Sequence, residues 1–142
     1  MSKKILCFLL LFPIFTNAQD VQAHINSLKT ELKTQSNPER ITAIYSDLTW
    51  DYVDISLDSA LVYGQKSVSV AKKLNNPKLL SQSYSNLGAV YLRKENYKKS
   101  RENYLTAYII RKANKDYEGM AKININLGNI YDLYFIRIDF SD

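Results

Sequence analysis

One phrase occurs twice in this chain, 40 residues apart. Residues 84–91 read YSNLGAVY and residues 124–131 read NINLGNIY. A period of roughly 20 to 50 residues is typical of repeat proteins, in which each unit buries its apolar face only against its neighbours. The repeat therefore predicts a stacked architecture and directs the search for function to exposed surfaces.

The spacing of apolar residues predicts that the repeating units are helical. Val21, Ile25, Leu28 and Leu32 fall four, three and four residues apart, which indicates one apolar stripe on a first helix over about residues 20–34. Asn-Pro pairs at 37–38 and 76–77 mark helix boundaries. The same periodicity predicts further helices over about residues 38–53, 57–74, 78–94, 97–114 and 117–134.

These helices fall into two complete hairpins and half of a third. A shift of 39 residues places Tyr45 on Tyr84, Leu48 on Leu87 and Thr49 on Gly88. The turn of the first hairpin is one residue shorter than that of the second, so Ala60 aligns with Ser100 at a shift of 40.

The second hairpin resembles a tetratricopeptide repeat. The residues that carry the resemblance are Tyr84, Leu87, Gly88, Tyr91, Ser100, Tyr104 and Ala107. The resemblance implies an all-α, tetratricopeptide-type helical-hairpin solenoid with an N-terminal cap helix and about two and a half 40-residue repeats. This chain departs from the family pattern in its longer repeat, in Lys112 where a proline is usual, and in Thr49 and Asn124 at signature positions.

A closer resemblance is to exported tetratricopeptide regions that open with a signal peptide. The phrases at 58–66 and 71–75 are similar to such regions. In that group the repeats often form the sensory part of a histidine kinase or a transcriptional regulator. The resemblance therefore implies that this chain is the N-terminal, sensory part of such a protein.

The N-terminus is predicted to be a secretory signal peptide over residues 1–18. Lys3 and Lys4 precede an apolar run from 5 to 15, and residues 16–18 provide a small-residue cleavage site. Cleavage after Ala18 would leave a cap helix at 19–36, a repeat domain at 37–134 and an irregular tail at 135–142, in a periplasmic or secreted protein. The alternative is an uncleaved first helix.

Cysteine and charge limit the possible functions. The only cysteine, Cys7, lies in the leader, so the mature chain would contain no thiol, and a lipid-anchored cysteine is the less favoured reading. Residues 61–115 contain twelve Lys or Arg and two Glu. In an exported chain this basic middle favours a solvated helix face over a nucleic-acid site.

The repeated leucines, glycines and tyrosines are predicted to be structural. A glycine inside a helix costs about 1 kcal/mol relative to alanine, so Gly88 and Gly128 should each face a second helix at close range. The tyrosine stripe is interpreted as packing in preference to a ligand cage. The structural set comprises Tyr84, Leu87, Gly88, Tyr91, Ala107, Leu127, Gly128 and Tyr131.

The family resemblance implies that ligands bind on the wall made by the first helix of each hairpin. The corresponding groove residues are Ser46, Trp50, Gln82, Ser85, Ala89, Arg93, Lys122 and Asn129, with Ile125 and Asp132 nearby. Asn129 matches an asparagine that often holds a peptide backbone in this family. Trp50, the only tryptophan, is either an exposed hot spot or packed under the cap helix.

No constellation in the sequence predicts catalysis, a metal or a cofactor. His24 is the only histidine, and no nucleophile motif, zinc motif or phosphate loop accompanies it. Acids at 47, 51, 54 and 58 recur at helical spacing, which favours a solvated face over a cation site.

Two functions remain: a free-standing scaffold that binds a protein or peptide, and the sensory front of a truncated or incomplete kinase or regulator. No nucleic-acid partner is predicted, and membrane attachment is expected only through a longer chain. The β-branched and aromatic run from 132 to 142 alternates roughly as a strand would. A last helix left uncovered by that tail would suit self-association, instability or a truncated gene.

Overall fold

The computed structural model describes the backbone of residues 3–139 and the side chains of residues 19–133. The described backbone forms six helices and no strand. The helices are α1 (Lys3–Thr34), α2 (Pro38–Val53), α3 (Leu57–Lys73), α4 (Pro77–Arg93), α5 (Tyr97–Ala113) and α6 (Tyr117–Asp139). This confirms the all-α repeat fold.

Helix α1 forms a compact unit of its own, which covers residues 1–34. Ile25 and Leu28 are buried, and Val21 and Leu32 are half-buried, as the apolar stripe predicts. Helix α1 includes Ala18 and continues beyond it. Cleavage after Ala18 stays a prediction. Within the described part of the chain, no helix combines the length and apolarity needed to span a membrane.

The second unit, residues 35–142, contains the repeats. Helices α2 and α3 form one antiparallel hairpin and α4 and α5 form the next, while α3 packs on α4 and α5 packs on α6. Helix α2 also contacts α4. The first helices of successive hairpins thus lie side by side, which gives them a shared surface.

The 40-residue period arises from two 20-residue halves, each made of one helix and one short turn. A polar side chain before each of these helices accepts backbone N–H bonds from the first turn, which supplies partners for otherwise unpaired donors. The capping residues are Asn37, Ser56, Asn76, Asn96 and Asp116. The turns after α3, α4 and α5 each contain one residue with positive φ, namely Asn75, Glu95 and Lys115.

Packing inside the second hairpin explains one of the two repeated glycines. A Cβ on Gly88 would lie 3.0 Å from three atoms of the Tyr104 ring, and the hydroxyl of Ser100 donates to the carbonyl oxygen of Gly88 at 2.8 Å. Tyr104 and Ala107 are buried with Ile123 and Ile130 of α6. The residues that pack around this cluster are Tyr84, Ala89, Leu92, Tyr97, Tyr108 and Leu127, so tyrosines here serve packing.

Two expectations about α6 are wrong. No described atom lies within 4 Å of a Cβ built on Gly128, so this glycine faces no second helix. The backbone from 135 to 139 is helical, where an irregular or strand-like tail was expected. No glycine or proline follows Gly128 to stop a helix that is already formed, and β propensity depends strongly on context. The expected tail at 140–142 lies outside the described residues.

Candidate functional site

A groove of about 480 Å³ follows the side-by-side first helices of the repeat unit. Helix α2 provides Trp50, helix α4 provides Gln82, Ser85, Asn86, Ala89 and Arg93, and helix α6 provides Lys122 and Asn126. Buried Tyr104 and Ile123 contribute to its floor. A second cleft of about 650 Å³ shares Gln82, Arg111, Gly119 and Lys122 with it, so the two make one continuous surface.

Six of the eight predicted groove residues line this groove: Trp50, Gln82, Ser85, Ala89, Arg93 and Lys122. Trp50 is 50% exposed. The first helices share this wall because successive hairpins stack in the same orientation.

The other two predicted residues do not line the groove. The Ser46 hydroxyl lies 3.1 Å from that of Ser67 on α3, so it belongs to the packing between helices. Asn129 is exposed, and Asn126, one turn earlier on α6, lies in the groove instead. On α6, the spacing taken from the family therefore selects Asn129, one turn beyond the position that lines the groove.

A chain of polar contacts runs along the groove from the α5–α6 turn through α5 to α4. Arg111 Nη1 bonds to Asp116 Oδ2 at 2.8 Å, and Arg111 Nη2 donates to Gln82 Oε1 at 3.0 Å. Gln82 Nε2 then donates to Oδ1 of buried Asn86 at 2.9 Å. These contacts orient the amides and the guanidinium before any ligand arrives.

Sequence reasoning missed Arg111 and Asn86. Arg111 lies on a second helix, whereas the resemblance directed attention to first helices alone. Its guanidinium passes over Gly119, where a Cβ would overlap both Arg111 and Asp116. Asn86 lies one turn from Gln82, and this spacing of two amides on a helix is the signal that would have identified it.

Local bonds favour the charged forms of Asp116 and Glu118 at the start of α6. The backbone N–H of Gly119, together with the Arg111 guanidinium, keeps the pKa of Asp116 below its usual value. The hydrogen bond and charge of Lys122 do the same for the pKa of Glu118. At the other end of the groove, Arg93 pairs with Asp54.

Two of the acids that recur at helical spacing between residues 47 and 58 also have basic partners. Asp54 pairs with Arg93, and Asp58 accepts a 2.6 Å hydrogen bond from Lys94, which lowers the pKa of Asp58. These pairs join the first hairpin to the end of α4. Among the described residues, no cluster of three or more potential metal ligands occurs.

The described polar groups include two buried atoms that make no hydrogen bond. They are Ser85 Oγ and Arg111 Nε, and both residues line the groove. Buried donors without a partner are rare in native structures because each one costs free energy. Both atoms are shielded from solvent, so they are not part of the exposed surface of the groove.

The model of the SusR N-terminal TPR domain family matches residues 16–107, nearly two thirds of the chain. The chain belongs to this family. The matched part of this tetratricopeptide protein covers the first hairpin and most of the second, and it ends at Ala107 within α5. Arg111, Asp116 and the whole of α6 therefore lie outside it. Tetratricopeptide domains generally mediate protein interactions and are typically non-catalytic scaffolds. No curated protein matches the chain.

Proposed function

We propose that this chain is an exported scaffold protein that binds a segment of another protein in the groove between α2, α4 and α6. The observation that carries the proposal is the convergence of half-exposed Trp50 with the amides and cations of α4 and α6 on one concave surface. An aromatic anchor beside oriented polar groups is the usual composition of a binding hot spot.

The groove favours a ligand that is rich in hydrogen-bond acceptors. Its donors include the Arg111 guanidinium, the Lys122 ammonium and the amide of Asn126. Backbone carbonyls of an extended peptide, or its carboxylates, would supply the acceptors. An apolar side chain of the same peptide would cover the Trp50 ring.

Trp50 provides an intrinsic probe for this proposal, since it is the chain's single tryptophan. Peptides selected from a displayed random library against the purified chain would be titrated while Trp50 fluorescence is followed. We expect Lys122→Ala to weaken binding of the selected peptides about tenfold, and Ile109→Ala, on exposed α5 surface outside the groove, to leave it unchanged. Selected peptides that bind with no change in Trp50 fluorescence and no loss in Lys122→Ala would refute the groove assignment.

Export is supported by the basic, apolar and small-residue order of the first eighteen residues. Cell fractionation with N-terminal sequencing tests it. We expect the chain outside the cytoplasm with Gln19 as its first residue. An intact N-terminus in the cytoplasmic fraction would contradict export.

One observation favours a second candidate, the sensory region of a sensor kinase or transcriptional regulator. The matching family is described as the SusR N-terminal TPR domain, and an N-terminal domain is typically followed by further protein. The coding DNA downstream of Asp142 tests this candidate. An in-frame spanning segment followed by a kinase or DNA-binding region supports it, and an immediate stop codon with an unrelated gene beyond favours the free scaffold.

A further inference from the structure

Helix α5 has a solvent-exposed side that is separate from the groove. Its residues Lys98, Glu102, Leu105, Ile109 and Lys112 follow one another at intervals of four, three, four and three, and all five are exposed. This spacing places them on one side of the helix. None of them lines the groove or the adjoining cleft. We call these five residues the outer face.

The exposure of this side is a property of the repeat. The positions 40 residues earlier on α3 are Asp58, Val62, Gln65, Ser69 and Lys72, and all five are exposed although α4, α5 and α6 follow them. Helix α3 packs on α2 and α4 through its other side. The corresponding side is therefore exposed even on a second helix that lies inside the stack, so its exposure on α5 does not depend on which residues come after α6.

Basic charge is concentrated on the second helices. Helix α3 contains three lysines and one acid, and α5 contains five Lys or Arg and one acid. Only Arg111 among these basic residues lines the groove. The acid of α3, Asp58, is paired with Lys94 at 2.6 Å. Helices α2 and α4 together contain three Lys or Arg and three acids, so the side formed by α3 and α5 is the one that attracts an anionic partner.

Aliphatic side chains lie between the basic residues of the outer face. Ile109 is 65% exposed and Leu105 is also exposed, and Lys98 and Lys112 stand on either side of them along the helix. Val62 adds a third exposed aliphatic side chain on α3. A bilayer surface suits both kinds of residue, because anionic headgroups attract ammonium groups and the boundary with the acyl chains takes up aliphatic side chains.

We propose that the outer face binds an anionic membrane surface peripherally, with Leu105 and Ile109 at the headgroup–acyl boundary and the lysines among the headgroups. Two features favour lipid over other anionic partners. The exposed apolar residues are aliphatic, whereas single-stranded nucleic acids are held by aromatic rings that stack on the bases. Lysine supplies six of the eight basic residues of α3 and α5, and lysine is depleted at protein–protein interfaces.

Vesicle flotation tests the proposal. The full chain is mixed at low salt with vesicles of phosphatidylcholine alone, or of equal parts phosphatidylcholine and phosphatidylglycerol. We expect stronger binding to the anionic vesicles and a steep loss as salt is raised, because salt screens exposed charges. The double variant Lys98→Gln/Lys112→Gln should bind anionic vesicles at least about tenfold more weakly, because it loses two charges. Ile109→Gln should bind about tenfold more weakly, because it loses aliphatic surface.

The double variant Arg40→Gln/Lys78→Gln is the matched control, since it removes the same charge from exposed positions on α2 and α4. We expect it to change binding less than about twofold, because attraction to a charged surface falls off within a Debye length. Residues 1–18 are identical in all of these proteins, so the differences among them report on the outer face. Circular dichroism confirms that each variant is folded.

Four outcomes overturn the proposal. They are equal binding to both kinds of vesicle, no binding to either kind, an equal loss in the outer-face double variant and its control, and unchanged binding of Ile109→Gln. A fifth would assign the face to nucleic acid: tighter binding to single-stranded DNA than to anionic vesicles, lost in Lys98→Gln/Lys112→Gln.

Discussion

Gly88 of α4 lies directly beneath the ring of Tyr104 on α5, so close that a Cβ on Gly88 would stand 3.0 Å from three ring atoms. Gly64 on α3, at the position of Tyr104 in the first hairpin, meets a side chain of the next hairpin. A Cβ on Gly64 would stand 2.8 Å from Leu87 Cδ2 on α4, whereas Thr49, at the position of Gly88, is at an ordinary contact distance of 3.5 Å. Gly88 therefore makes room within a hairpin, and Gly64 makes room between hairpins.

The two repeated glycines should respond oppositely to the same substitution. Gly88→Ala forces a methyl group against a buried ring and should lower stability by about 1–3 kcal/mol, a fall of several degrees in Tm. Gly128→Ala meets open space and should raise helix stability by roughly 0.5–1 kcal/mol. Thermal unfolding followed by circular dichroism measures both, and equal effects would contradict the contact. A larger residue, as in Gly88→Leu, should cost more than alanine.

Ser67 joins three helices through its buried hydroxyl. Its Oγ lies 2.7 Å from Ser83 Oγ on α4 and 3.1 Å from Ser46 Oγ on α2, and it donates to the Thr42 carbonyl oxygen at 3.3 Å. Ser67→Ala removes a partner from the Ser46 and Ser83 hydroxyls, although Ser83 still donates to the Leu79 carbonyl oxygen, and it should cost about 1–3 kcal/mol in urea unfolding. Ser69→Ala, on an exposed position of the same helix, is the control and should change stability by less than about 0.5 kcal/mol. A Ser67 variant as stable as its control would show that the network contributes nothing.

Burial of Tyr104 should make the fold sensitive to alkali. Burial raises the pKa of Tyr104 to about 12, above its usual value near 10. The folded state thus favours the neutral phenol, and its contribution is complete below about pH 10 and declines as the pH rises toward 12. At pH 11 the loss is roughly 1.4 kcal/mol.

Tyr104→Phe isolates this effect because it removes the titrating hydroxyl and keeps the ring over Gly88. We expect the variant to lose less stability than the unaltered chain between pH 9 and pH 11, measured by urea unfolding at each pH. Lysines titrate in the same range in both proteins, so only the difference between the two curves is informative. Parallel curves would argue against the raised pKa.

Asp116 should make the α5–α6 turn sensitive to acid. Its pKa is lowered by the Gly119 backbone N–H and by Arg111, so the folded state favours the carboxylate. That contribution is present above about pH 4 and is lost as the pH falls through the lowered pKa. Asp116→Asn keeps an oxygen for the Gly119 N–H but removes the charge that faces Arg111.

We expect Asp116→Asn to lower Tm at pH 7 and to differ progressively less from the unaltered chain as the pH falls below about 4 and the aspartate takes up a proton. Asp132→Asn, an exposed acid on α6, is the control and should have no effect at any of these pH values. A Tm difference for Asp116→Asn that is constant with pH would contradict the role of its charge.

The sequence by itself determined helices α2 to α5 and the start of α6, because each of these has a local signal. The caps Asn37, Ser56, Asn76, Asn96 and Asp116 recur at intervals of 19 or 20 residues, and the apolar stripes between them have helical spacing. The boundaries of α2 to α5 accordingly agree with prediction to within a residue. The first-helix wall of the groove was implied by the resemblance to tetratricopeptide repeats.

Only the tertiary structure decided which of the repeated residues are equivalent in environment. Gly88 and Gly128 stand in the same sequence phrase, yet one lies beneath a ring and the other faces open space, because burial depends on which helix packs alongside. Likewise, the Ser46 hydroxyl lies beside that of Ser67 on α3 and not in the groove. Arg111 lines the groove although it belongs to the second helix of its hairpin. Periodicity places a residue on a face of its helix, and only the neighbouring helix determines what that face contacts.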